Sequence, residues 1–481
     1  MHWAFVLNIV GVVTLVVGLS MSFPLGFALY YRDISISPLF ISLLITSGVG
    51  LGMHVLFRSA RVTTVTHKMG MLIVTLAWLA AGLSGALPYW LGGFASGTDA
   101  VFESFSGFTT TGASIMTDIE ALPRGLLMWR SLTHWLGGMG IILLSLAILP
   151  FLGVGGMQLY KAEVPGPVPD KLRPRIKDTA KTLWKVYLIL SVAEAVLLYA
   201  GGMDVFNSLC HTFGTLATGG FSPKNTSIAY FDSAYIDGVI TVFMLLAGVN
   251  FVLHFQLLTG RPLAYWTNPE FRFFAIIAAV FIGLCTFWVW GPNYDHIQTA
   301  FRYSSFQIAS ILTTTGYATA DYEIWPPLIQ CLLLVCMFIG GCAGSTAGGM
   351  KCMRIMILLK SGYREVFRVI HPRAVRPLKM GKRIIKEDVL HGVWGYFILY
   401  LVLFVLAWFI VSAMGLDVLT SFAAVLACVS NIGPGLGDVG PTDNYSFVPD
   451  EAKWILVLCM VMGRLEIYTV MALLIPEFWK K

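Results

Sequence analysis

The chain is 481 residues long, 57% hydrophobic and 12% charged, with a mean hydropathy of +0.76 and a net charge of +6. Soluble domains carry about 25% charged residues. Half that density excludes a water-facing surface over most of the molecule, and with it a soluble globular fold.

In chain order the apolar segments run over residues 5–30, 39–57, 69–91, 125–152, 184–203, 236–258, 273–290, 326–359, 393–414 and 454–478. Most reach the roughly 20 residues that carry a helix across the hydrocarbon. They predict an all-α integral membrane protein with ten spans. The first segment has no Lys or Arg ahead of it, a long apolar run and no clean small-residue cleavage site. It reads as a retained helix rather than a secretory signal. The eight cysteines lie in or beside apolar segments and none forms a CxxC pair, which suggests neither disulfides nor a zinc site.

Charge alternates between the connecting loops. Basic residues gather at Arg58, Arg61 and Lys68, at Lys161 through Lys185, at Arg261 and Arg272, from Lys351 to Lys386, and at Lys480 and Lys481. The intervening loops are acidic or neutral, with Asp99, Glu103, Asp118, Glu120, Asp232, Asp237, Asp321, Glu323, Asp438, Asp443, Asp450 and Glu451. The positive-inside rule then places both termini in the cytoplasm. Membrane topology accounts for the basic loops without a nucleic-acid partner.

Between one span and the next, four short apolar segments recur on the outer side: residues 99–108, 203–214, 299–311 and 417–428. At ten to thirteen residues they are too short to span and read as re-entrant half-helices. Each runs into a Thr/Ser-and-Gly stretch: "GFTTTGAS" (107–114), "TLATGGFS" (215–222), "LTTTGYAT" (312–319) and "VSNIGPGLG" (429–437). Gly112, Gly219, Gly316 and Gly433 are 107, 97 and 117 residues apart, the mark of an internal repeat. The chain divides into an N-terminal two-helix extension (1–68) and four pore repeats (69–160, 161–262, 263–372 and 373–481).

Irregular backbone at membrane depth is tolerated only where protein buries it or it lines a water-filled cavity. Four such loops around one axis predict a pore whose carbonyls replace the hydration shell of a monovalent cation. The candidate ligands are Thr110, Thr111 and Gly112; Ala217, Thr218 and Gly219; Thr314, Thr315 and Gly316; and Asn431, Ile432 and Gly433. Glycine supplies backbone angles closed to residues with a Cβ. The half-helices would aim their negative C-terminal ends at the axis, favouring cations. One TTTG alone reads as helix packing; four in matching positions do not.

The segment "GGCAGSTAGGMK" (340–351) has five glycines in twelve positions. Each costs a helix about 1 kcal/mol relative to Ala, so the segment is expected to unwind. Gly340, Gly344 and Gly348 also match a packing ladder, while Gly341, Ser345 and Gly349 form a second small-residue row. Lys351 marks its cytoplasmic edge, where a snorkelling side chain is the alternative. Arg464 lies in the last span near mid-membrane, where a guanidinium costs at least ~2.5 kcal/mol. It is either a pore-facing functional cation or the partner of an acid such as Glu194; Glu466 is expected on another face. Glu103 reads as an outer-mouth anion or a solvated residue, and His134 and His211 receive no role. HExxH, GxSxG and paired-acid patterns are lacking, so catalysis is not indicated.

This unit resembles the Trk/Ktr/HKT superfamily of potassium transport proteins over nearly the whole chain, and the extra N-terminal helix pair resembles its bacterial TrkH branch. The resemblance implies potassium as the transported substrate, since all four repeats carry the filter glycine, and a bacterial inner-membrane location. It implies that residues 340–351, with Gly340, Gly341, Gly344, Gly348, Gly349 and Lys351, form a gate below the filter, with Arg464 beside it opposing cations. It also implies a homodimer seated on a TrkA-like cytoplasmic nucleotide-binding ring, for which the basic loops 153–183 and 360–388 are docking surfaces. No dinucleotide fingerprint occurs in the chain, so no organic cofactor is expected in it. The alternative is an ion-coupled secondary transporter of a small solute, built from two inverted repeats; four repeats of one orientation disfavour it.

Overall fold

The computed structural model of the chain describes residues 2–59, 66–140, 176–374, 376–381 and 383–480. The end of the fourth apolar segment, most of loop 153–183, and Arg61, Lys161, Lys171, Arg173, Arg175 and Lys382 lie outside the described residues.

The regular elements of the described residues are helices, apart from one short antiparallel strand pair, Lys379–Met380 with Arg383–Ile384. The extension is built from α1 (Trp3–Ser20), α2 (Ser22–Tyr31) and α3 (Ile36–Phe57). Small residues let α1 and α3 cross closely: a Cβ on Gly50 would sit 2.4 Å from Leu15 N, and one on Gly18 would sit 2.6 Å from Ser47 N. Such contact replaces the hydrophobic effect as the glue between helices in lipid.

The stretch expected as the first repeat holds α4 (His67–Leu91), α5 (Gly97–Phe108) and α6 (Arg124–Trp135), the last running into a π-turn at Leu136–Gly140. That expected as the second holds α7 (Ile176–Ala200), α8 (Val205–Leu216), α9 (Ala234–Ala247) and α10 (Phe251–Leu258). After the short α11 (Ala264–Thr267), that expected as the third holds α12 (Pro269–Val289), α13 (Ile297–Leu312), α14 (Pro327–Ile339) and α15 (Cys352–Ile370). That expected as the fourth holds α16 (Glu387–Ala413), α17 (Val418–Ser430), α18 (Asp450–Arg464), α19 (Tyr468–Leu474) and α20 (Pro476–Trp479).

The outer helices read as spans because apolar residues cover the whole circumference. On α16, Val402, Leu406 and Phe409 are exposed, whereas Tyr396, Tyr400 and Phe404 are buried; in water the exposed set would be an aggregation surface. By length and composition six helices can cross a membrane, or eight if the bent pairs α9–α10 (103°) and α18–α19 (117°) each count once. The count falls short of ten among the described residues because three of the remaining apolar segments are broken or bent and the fourth, 125–152, runs beyond the described residues. All four depart from α geometry: the π-turn after α6, the break at 248–250, the end of α14 at Gly340 and the bend at 465–467.

Candidate functional site

The short helices α5, α8, α13 and α17 fall on the four short apolar segments expected to form half-helices. Three start on a polar N-cap: Ser96 accepts from Asp99 N, Asp204 from Asn207 N, and Asp417 from Leu419 N and Thr420 N. Each helix ends the same way. A residue turns left-handed, at Thr110 (φ 53°), Thr218 (52°), Thr314 (58°) and Asn431 (55°). The next N–H then donates back into the helix: Thr111 to Ser106 O, Gly219 to Gly214 O, Thr315 to Ser310 O and Ile432 to Ala427 O. This is the helix-terminating geometry that normally selects Gly or Asn; in three repeats a Thr takes it.

The following position has φ of +83° at Gly112, +79° at Gly220, +85° at Gly316 and +95° at Gly433. The second repeat therefore corrects the expected register by one residue. Its equivalent triplet is Thr218, Gly219 and Gly220, and Ala217 belongs to the helix end. "TLATGGFS" offers two adjacent glycines, and only the backbone distinguishes them.

The four triplets form a closed ring. A Cβ on Gly112 would lie 2.1 Å from Gly219 O, one on Gly220 2.1 Å from Thr315 O, one on Gly316 2.0 Å from Ile432 O, and one on Gly433 2.8 Å from Thr111 O. Each glycine thus receives the carbonyl of the next repeat where a side chain would stand, and the fourth returns to the first. Thr109 and Thr111 share a hydrogen bond at 2.8 Å, as do Thr313 and Thr315. The divergent fourth loop compensates with Asn431, whose Nδ2 donates to Thr111 Oγ1 and Met460 O, both at 3.0 Å. Tyr445 Oη donates to Gly433 O at 2.7 Å.

Behind the ring, buried polar groups stitch neighbouring repeats. Glu103 is fully buried and paired with Arg130 Nε at 2.5 Å, and it accepts from Ile115 N and Ser114 Oγ. Both sequence readings of Glu103, outer-mouth anion and solvated residue, are overturned: it braces the loop after the first triplet. Arg130 goes on to Ser222 O at 2.9 Å and lies 3.8 Å above the Phe221 ring, joining repeats one and two. Tyr317 Oη donates to His211 O, Tyr322 Oη to Gly435 O, and Tyr445 N to Ser114 O, completing the circuit. His134 stacks on Phe221 at 4.1 Å, and His211 is hydrogen-bonded to Asn207 O and Ser222 Oγ. Both histidines are packing residues of this belt.

Residues 340–351 are not helical. The segment passes directly beneath the ring: Gly348 N donates to Thr314 Oγ1 at 2.6 Å, and Gly349 N to Ser430 O at 2.9 Å. A Cβ on Gly348 would come within 2.2 Å of Ser430 O, so glycine there is required by close approach rather than by a helix-packing ladder. Its other contacts go to the interrupted second inner helix, whose terminal carbonyls are left open by the break at 248–250. Cys342 N donates to Gly248 O at 2.8 Å, and Thr346 Oγ1 to Ala247 O at 3.2 Å.

Arg464 ends α18 and reaches into this layer. Its guanidinium donates to Thr346 O at 2.7 Å, Gly137 O at 2.8 Å and Gly138 O at 3.0 Å. It therefore links repeats four, three and one through backbone carbonyls and does not pair with Glu194. Glu466 indeed faces elsewhere, forming an ion pair with Arg354, whose guanidinium lies 3.9 Å above Tyr396. Lys351 does not snorkel: it is buried, with φ of +72°, and its Nζ donates to Ala347 O within the same segment. Sequence reasoning passed over Arg130, Tyr445 and Glu270; Arg130 stands among apolar residues, which flags burial without naming the partner, whereas Tyr445 and Glu270 sit in polar surroundings that give no such signal.

A helical membrane protein in which four glycine-bearing loops close into one ring has the fold of a membrane transport protein. The TrkH family, described as a cation transport protein, matches residues 35–481. Relatives named Trk system potassium uptake protein TrkH, from Salmonella typhimurium and Escherichia coli, are 43% identical over all of both chains. The crystal structure of the potassium transporter TrkH from Vibrio parahaemolyticus has a TM-score of 0.90 at 40% identity and complete mutual coverage. The chain belongs to the TrkH family of cation transport proteins, and is not an enzyme.

Proposed function

We propose that the chain is the potassium-translocating pore subunit of a bacterial Trk-type uptake system. The observation that carries this reading is the closed ring at Gly112, Gly220, Gly316 and Gly433, each in contact with the next loop's carbonyl. The carbonyls of Thr110–Gly112, Thr218–Gly220, Thr314–Gly316 and Asn431–Gly433 are the proposed ligands. They strip and replace the ion's water in a series of weak sites, which permits binding and release alike. Four half-helix C-termini meeting there supply a cation-favouring potential.

Below the filter, residues 340–351 act as the gate and Arg464 as its latch. The latch places a fixed positive charge beside the path while it holds Thr346 O. In this reading ten spans cross the bacterial inner membrane in the four repeats and two-helix extension outlined above, with both termini cytoplasmic. Two copies form a homodimer, and a TrkA-like nucleotide-binding ring docks on the basic cytoplasmic loops and moves α15, the helix continuous with the gate. The names of the relatives support potassium; the assembly rests on the resemblance.

Flux and reversal potential of the purified protein in liposomes, under opposed potassium and sodium gradients, test the reading. Potassium-selective flux is expected. Equal permeability to both ions, or flux only with an organic solute, would sink it.

A further inference from the structure

Glu270 is the second residue of α12 and is 3% exposed. A buried carboxylate is costly unless its hydrogen bonds are met. Here Oε1 accepts from Ala343 N at 2.7 Å and from Met353 N at 3.1 Å. Ala343 stands near the start of the segment beneath the ring, and Met353 just beyond its end, ten positions later. One oxygen atom therefore ties both feet of the segment together.

The anchor is itself rigid. Asn268 Oδ1 accepts from Glu270 N at 2.9 Å and Phe271 N at 3.0 Å, and Pro269 opens the helix, so the carboxylate stands on a capped first turn. The other side needs it. Lys351, at the N-cap position of the 19-residue α15, makes no side-chain cap. The first-turn amides of such a helix lack intrahelical acceptors and carry partial positive charge. Glu270 supplies the missing cap from another element, and the same atom holds Ala343.

We propose that Glu270 is the positioning residue that clasps residues 340–351 beneath the filter: the segment cannot swing aside without breaking charge-assisted bonds at both its feet. Arg464 holds the segment's middle, at Thr346; Glu270 holds its ends. The inference rests on the gate reading above, and the experiment separates the two.

Cys342, 1% exposed and adjacent to Ala343, is a built-in reporter. Full-length protein in liposomes would be treated with N-ethylmaleimide, and modification of the Cys342 peptide followed by mass spectrometry alongside potassium flux. Glu270→Ala is expected to label Cys342 roughly tenfold faster, the scale of losing one bond to a charged group. Glu270→Gln, which keeps a neutral oxygen acceptor, is expected to fall between Ala and wild type. Wild-type labelling in Glu270→Ala overturns the clasp, as does Glu270→Gln labelling no slower than Ala. If the Ala variant does not assemble, the Gln variant decides: faster labelling than wild type supports the clasp, and the wild-type rate overturns it. Faster labelling with unchanged flux keeps the clasp and sinks the gate reading.

Discussion

Gly316 holds φ at +85° with Ile432 O only 2.0 Å from where its Cβ would stand. Alanine there adopts a left-handed backbone at a cost of about 1–2 kcal/mol and pushes the carbonyl of the next loop outward. We expect Gly316→Ala to lower potassium flux in liposomes by at least about tenfold, since 1.4 kcal/mol is already a factor of ten. Arg464 has the opposite sign. Its three carbonyl acceptors lose their donor in Arg464→Ala, the segment beneath the ring is freed and the fixed charge is gone. Flux should rise several-fold, and Arg464→Lys, which lacks the planar fork, should give a smaller rise. At this scale the glycines were legible because they break helical chemistry in a repeated place. The choice between Gly219 and Gly220 was not, since both fit the motif and only the hydrogen bond from Gly219 N to Gly214 O and the φ of Gly220 separate them.

Among elements, the segment 340–351 shows how density of glycine becomes structure. Five glycines made helix unfavourable, and the structure replaces the lost internal bonds with bonds to several other elements. Gly348→Ala meets Ser430 O at 2.2 Å and must shift the segment against the ring. We expect it to change open probability in single-channel records while leaving the potassium-over-sodium preference within about a factor of two, because the four ring glycines and their carbonyl partners are not themselves substituted. The half-helices depend on their caps. Hydrogen bonds from Thr420, its side chain first, hold the Asp417 carboxyl below its usual value at the outer edge. A carboxylate with a depressed folded pKa contributes stability above its unfolded value, about pH 4, and loses it as pH falls through the folded value. Thermal melts of detergent-solubilised protein should therefore be flat from about pH 5 to 7 and fall below about pH 4, and Asp417→Asn should reduce that fall.

For the whole molecule, the polar belt behind the ring, from Glu103 and Arg130 through Tyr317, Tyr322 and Tyr445, makes the four repeats one cooperative body. Removing one member of a buried pair such as Glu103–Arg130 costs on the order of 3–5 kcal/mol, so the belt resists piecemeal change. Orientation is a property of this scale too. The basic loops predict both ends of the chain on one side, and a reporter enzyme active only in the cytoplasm should be active when fused after Lys481. The same reporter joined in the loop near Asp118 should be silent; activity there would overturn the expected orientation.

Composition and spacing alone determined the solvent of this protein, its helical class, the four short helices and the segment that fails to be helix. Those are consequences of local chemistry: apolar length, glycine's missing Cβ and charge in short loops. The tertiary structure decided the register of the second triplet, the burial of Glu103 and Lys351, and the carbonyl partners of Arg464. It also placed one carboxylate at both feet of the segment below the ring. Each of those depends on atoms brought together from repeats about a hundred residues apart, and a backbone carbonyl, present at every position, leaves no trace in the order of side chains.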